Sequence, residues 1–186
     1  TIADGANVAT VINSMGSGTV VNQDTSNTLS VDTTAGASLT VSAEAANTNA
    51  LTITDAASVT LAGAAASAAF GSTVLDAVDT TSLTLSSSAA TLDLATGNVT
   101  GTDKLETITV TTAGSGGDIV VGTMVDGDSL TSLTVTASAG DVTFGALAGT
   151  GSAEALATID VTATQGGQVQ FAAITADNVD SVSDND

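Results

Sequence analysis

Carboxylates are nearly the whole chemical vocabulary of this chain. It holds 20 Asp and Glu against a single base, Lys104, and it has no His, Cys, Tyr or Trp. Acid–base or nucleophilic catalysis would have to come from carboxylates or that lysine. Two carboxylates suffice for a glycosidase, but sugar sites lean on aromatic platforms, which are missing. A lyase acting on an acidic sugar needs a base near its substrate, and Lys104 sits between Asp103 and Glu106. The chain is therefore read as a non-enzyme. What carboxylates alone do well is hold a hard cation, and their spacing points that way. Asp103, Asp128, Glu154 and Asp177 each stand two residues before an apolar position, Leu105, Leu130, Leu156 and Val179, and Asp126 stands two earlier again. Stacked coils would turn these five into a ladder with neighbours about 5 Å apart. Like charges at that spacing oppose stacking unless neutralised, and one lysine cannot do it. Oxygen ligands beside Gly-rich turns suit Ca2+. The competing reading is a solvated acidic corner with loose counter-ions.

Residues 113–121 add a sixth candidate. They fit the repeat-in-toxin nonapeptide Gly-Gly-x-Gly-x-Asp-x-U-x at Gly114, Gly116, Asp118 and Val120, with Ala113 in place of the first Gly. In tandem this motif makes a Ca2+ roll. Here the next nine residues do not repeat it, so a plain Gly-rich turn competes with a ligand role for Asp118.

A repeat of short strands must position these residues. Leu105 to Thr111, Leu130 to Thr136 and Leu156 to Thr162 align, and a fourth copy opens at Val179; the steps are 25, 26 and 23 residues. Each copy has a second strand about ten residues on: Ile119-Val120-Val121, Val142-Thr143-Phe144, Val169-Gln170-Phe171. Val99, Met124, Leu147 and Ile174 supply a third apolar point. Upstream, Leu83 to Leu94, Leu51 to Leu61 and Leu29 to Val41 fit with less regular steps. Alternation of apolar residues with Thr, Ser or Asp is the half-buried strand pattern. Units this small cannot bury an apolar face alone and must stack. The expectation is an all-β chain: a parallel β-helix, or β-solenoid, with coils of about 25 residues. Residues 1–186 form one solenoid segment, read as a fragment of a longer chain or an array-forming subunit. Residues 62–73 are expected to form an Ala-rich insert between coils, bulging as a loop or short helix. This register turns Ile119 inward, whereas the nonapeptide would bury Val120.

A net charge of -19 excludes nucleic acid as a partner and disfavours anionic membranes. No run reaches the ~18 apolar residues of a membrane helix, so no membrane insertion is expected. No basic leader precedes Thr1, which reads as a mature or excised piece. Without Cys, disulfides do not hold the fold. Outward columns Ser82, Thr107, Ser132, Thr158 and Thr84, Thr109, Thr134, Asp160 invite comparison with the Thr arrays of ice-binding solenoids, but Thr is simply a good strand residue and Asp160 interrupts.

The Thr/Ala/Gly/Val-rich, nearly Lys-free chain, in segments such as Ala50 to Leu61 and Ser132 to Thr136, resembles surface-layer proteins of Gram-negative bacteria. The resemblance implies a solenoid lattice domain, type I secretion, Ca2+-driven self-assembly at the cell surface, and anchoring through a separate domain, with a surface anchor or glycan as partner. The alternative is a rod-like stalk or passenger segment of a large adhesin.

Overall fold

The structure is a computed structural model of the chain. It describes residues 2–4, 9–23, 27–45, 49–64, 68–76, 78–88, 91–94, 99–114, 117–125, 129–148, 156–175 and 181–185. Among these residues every regular element is a strand, eighteen in all, every pairing is parallel, and there is no helix, hence none long and apolar enough to cross a membrane. The chain winds into a β-solenoid with coils of about 24 residues.

Three faces make up the wall. On face A the rungs run in register from Thr10 through Leu29, Leu51, Thr73, Val99, Met124 and Leu147 to Ile174. Face B follows in each coil, from Gly18 through Leu39, Val59, Leu83, Ile108, Leu133 and Ile159 to Val182. Face C is shorter: Ala68, Leu92, Ile119, Val142, Val169. Among the described residues the first coils show strands of faces A and B only, and the strand Leu29–Ala43 crosses both, bending between Asp32 and Ala37. Some five three-sided turns follow.

Paired residues within the expected insert at 62–73 belong to rungs of the wall. Ala62 and Gly63 pair with Ser86 and Ser87 on face B, Ala68 and Ala69 start face C against Leu92 and Asp93, and Thr73 and Val74 continue face A. Ala68 and Ala69 begin a new side of the solenoid, and Ala68 is buried in the column that Leu92, Ile119 and Val142 fill in later coils.

The core is a stack of inward columns. Leu39, Val59, Leu83, Ile108, Leu133 and Ile159 form one, and Val41, Leu61, Leu85, Val110 and Val135 the next, all buried. Strict alternation puts their neighbours outside. On face C, Leu94, Val121, Phe144 and Phe171 share a column; Phe144 and Phe171 stack with centroids 5.1 Å apart. A further column lies where face A turns into face B: Ala56, Thr80, Leu105, Leu130, Leu156, all buried. Ile119 is fully buried and Val120 is not, so residues 117–121 follow the solenoid register and not that of the nonapeptide.

A candidate cation site where face A turns into face B

The connection between faces A and B collects acids. In successive coils it contains Asp32, then Asp55, then Asp76 and Asp79, then Asp103. Carboxylate oxygens of Asp55, Asp76 and Asp79 all lie within 4.8 Å of one another, and each residue is half-buried. The sequence dictates this convergence locally. Asp55 has φ 63°, a left-handed conformation that Asp tolerates better than most residues, and it lies within the strand Leu51–Gly63, between its face A and face B parts. One coil on, Asp76 folds its own loop: Oδ1 accepts the Val78 N–H at 2.8 Å, an Asx turn, and its carbonyl accepts the Thr80 N–H at 3.1 Å. That single turn brings Asp79 back beside Asp76.

Both ends of the turn are pinned. Buried Leu75 donates its N–H to Thr100 O at 2.8 Å, and buried Thr80 donates its hydroxyl to Ala56 O at 2.8 Å. Thr80 thus fills a core column position occupied by Leu in later coils without leaving its hydroxyl unsatisfied. From the next coil Gly101, at φ 74°, presses so close that an added Cβ would stand 1.9 Å from Leu75 O.

The three carboxyls are not equivalent. Backbone N–H groups of Val78, Asp55 and Asp79 hold Asp76 below the ordinary carboxylate range, the Asp55 N–H reaching Oδ2 at 3.1 Å. Asp55 is pushed up, by desolvation first and then by the charges of Asp32, Asp79 and Asp76, with a side-chain hydrogen bond to Asp79. Burial and the neighbouring charges thus favour the protonated form of Asp55 more than in an isolated carboxyl. Asp32 extends it downward, accepting from Thr54 Oγ at 3.4 Å.

Of the six acids singled out from sequence, Asp126, Asp128, Glu154 and Asp177 lie outside the described residues. Asp103 is exposed on the turn after Gly101, and its carbonyl accepts the Ser129 hydroxyl at 2.7 Å. Asp118 lies elsewhere, where face B turns into face C. Its Oδ1 accepts the Asp141 N–H at 2.9 Å, and Asp141 in turn accepts the Gln168 N–H at 2.9 Å. These carboxylates tie one coil to the next, a bond type stronger than a neutral one. Sequence reasoning missed Asp55, Asp76 and Asp79. A readable signal existed: an Asp-x-x-Asp pair one coil after a lone Asp. A depression lined by Ala62, Gly63, Ser86, Ser87 and Thr111 carries no ionisable side chain. No protein-family model matches the chain, and no curated protein or solved structure matches it either.

Proposed function

We propose that this chain is a structural element of a cell-surface layer or extracellular filament, a β-solenoid that assembles with copies of itself in the presence of Ca2+. One observation carries the reading: Asp55, Asp76 and Asp79, from two adjacent coils, meet within 4.8 Å in a chain with one base. Two oxygens bound to the same Ca2+ at 2.3–2.6 Å can be up to about 5 Å apart, and Ca2+ accepts flexible all-oxygen shells. The donor set has no nitrogen or sulfur to favour a transition metal. Such an ion would bridge two coils and remove the repulsion that otherwise raises Asp55. A cation that stiffens the rod also lowers the net charge of -19 that keeps copies apart.

The residue types argue against catalysis, since the described carboxylates serve turns and coil-to-coil bonds. An adhesin stalk would need the same rod, and the solenoid alone favours neither. The test is light scattering of purified protein with Ca2+, with Mg2+ and with chelator, for the wild type and Asp76→Asn. Large assemblies in Ca2+ alone, weakened by the substitution, are expected. Identical scattering in all three conditions would overturn the reading.

A further inference from the structure

Face B is the widest nearly uncharged stretch of the wall; the outward column Val11, Ser30, Thr52, Val74 and Thr100 of face A is also uncharged but is a single column. Its outward positions form three columns over the seven middle rungs of nine among the described residues, the end rungs being Ile2–Asp4 and Ser181–Asn185. The first is Ser17, Ser38, Ser58, Ser82, Thr107, Ser132, Thr158; Ser17 joins it by accepting the Ser38 N–H at 2.9 Å. The second is Thr19, Thr40, Thr60, Thr84, Thr109, Thr134, Asp160, and the third is Val21, Ser42, Ala62, Ser86, Thr111, Thr136, Thr162. Every one of these residues is half-buried or exposed, and Asp160 alone is charged. In a chain with 20 acids, a stretch of this extent with one charge is where a like-charged molecule can approach at low cost. The side chains are short, so the approach can be close.

We propose that face B is the contact surface for face B of a second copy, with the two rods antiparallel. With rungs about 4.8 Å apart and residues about 3.3 Å apart, the array covers on the order of 500 Å2. Two copies then bury about 1,000 Å2, where specific interfaces begin. Only two arrangements are two-fold symmetric and overlap the whole face. Parallel rods set rung seven on rung seven and oppose Asp160 to Asp160. Antiparallel rods set rung seven on rung one and oppose Asp160 to Thr19, a carboxylate meeting a hydroxyl donor. Charge selects the second. The partner is taken from the self-assembly reading above, but the contact needs no cation, so the two fail separately.

The test is sedimentation of the whole chain in chelator, at about 0.15 M salt to screen the remaining charge, with circular dichroism as the check on folding. A monomer–dimer equilibrium is expected that Thr84→Lys, at the centre of the face, weakens at least about tenfold. Thr109→Lys serves if the first variant loses its strand signal. Because the chain has no cysteine, disulfide trapping fixes the direction. Thr40→Cys mixed with Thr134→Cys should cross-link, while Thr134→Cys alone should not. A monomer at all concentrations up to about 1 mM, an unchanged dimer in the lysine variants, or self-linking of Thr134→Cys would overturn the proposal. So would a monomer that shapes growing ice and loses that activity on Thr84→Lys, which would assign the face to ice.

Discussion

Replacing Asp76 by Asn should give opposite results with and without Ca2+. The Asn oxygen still accepts the Val78 N–H, so the turn from Asp76 to Thr80 survives. The amide nitrogen meets the Asp55 N–H in place of Oδ2, losing a bond seen at 3.1 Å, a cost of about 1–2 kcal/mol. Against that, Asp55 and Asp79 lose a neighbouring negative charge. In chelator the two nearly cancel, and the melting midpoint should move little. In Ca2+ the balance changes, because a ligand bound only by the folded state stabilises by about 2.7 kcal/mol at 100 times its dissociation constant. Losing one of three carboxylates should forfeit about 2 kcal/mol of that. For a chain of this size the loss is roughly 4–8 °C. Thermal melts of both proteins, in Ca2+ and in chelator, measure the four numbers. Equal Ca2+-induced shifts in the two proteins would refute the assignment of Asp76, and the absence of any shift in the wild type would refute the site.

Three further outcomes follow from the same geometry. Gly101→Ala should destabilise by at least about 1–3 kcal/mol from its left-handed backbone, and further through the collision with Leu75 O, weakening Ca2+ binding with it; Gly36→Ala, also at positive φ but in open space, should cost only about 1 kcal/mol, and equal melting shifts would contradict the packing. Val135→Asp, at a fully buried position, should cost several kcal/mol and unfold the adjacent coils in urea, while Thr134→Asp on the outer side stays within about 1 kcal/mol. By carboxyl NMR in chelator, Asp55 should titrate above the usual value of 3.8 and Asp76 below it. The raised group favours the folded state when protonated, so its contribution fades as pH rises through and above 3.8; the lowered group contributes above 3.8 and loses it as pH falls below. Saturating Ca2+ should pull the Asp55 titration downward, and a titration unmoved by Ca2+ would count against the site.

The fold was legible where the coils are uniform. Leu105, Leu130 and Leu156 fall at near-equal steps because each fills the same core corner, and the register of Val99, Met124, Leu147 and Ile174 followed from that spacing. Reading failed where the corner changes occupant. Thr80 and Ala56 hold the same column with a hydroxyl and a methyl, so the apolar signal disappears although the position remains buried. Ala62, Ala68 and Ala69 looked like part of an excursion because Ala is a poor strand former, yet all three pair in the sheet. Asp55, Asp76 and Asp79 escaped because coil steps near them are uneven, 22 from Leu51 to Thr73 but 24 from Val59 to Leu83. A ladder sought at constant offset cannot include them. Carboxylates do meet in the connection between faces A and B at Asp55, Asp76 and Asp79, upstream of the ladder expected from the spacing.

The most direct test of a Ca2+-assembled structural role is electron microscopy of the purified chain with Ca2+ and after chelation. Ordered sheets or filaments in Ca2+ that dissolve into short rods in chelator are expected. Isolated rods in both conditions would contradict the assembly role and favour a stalk.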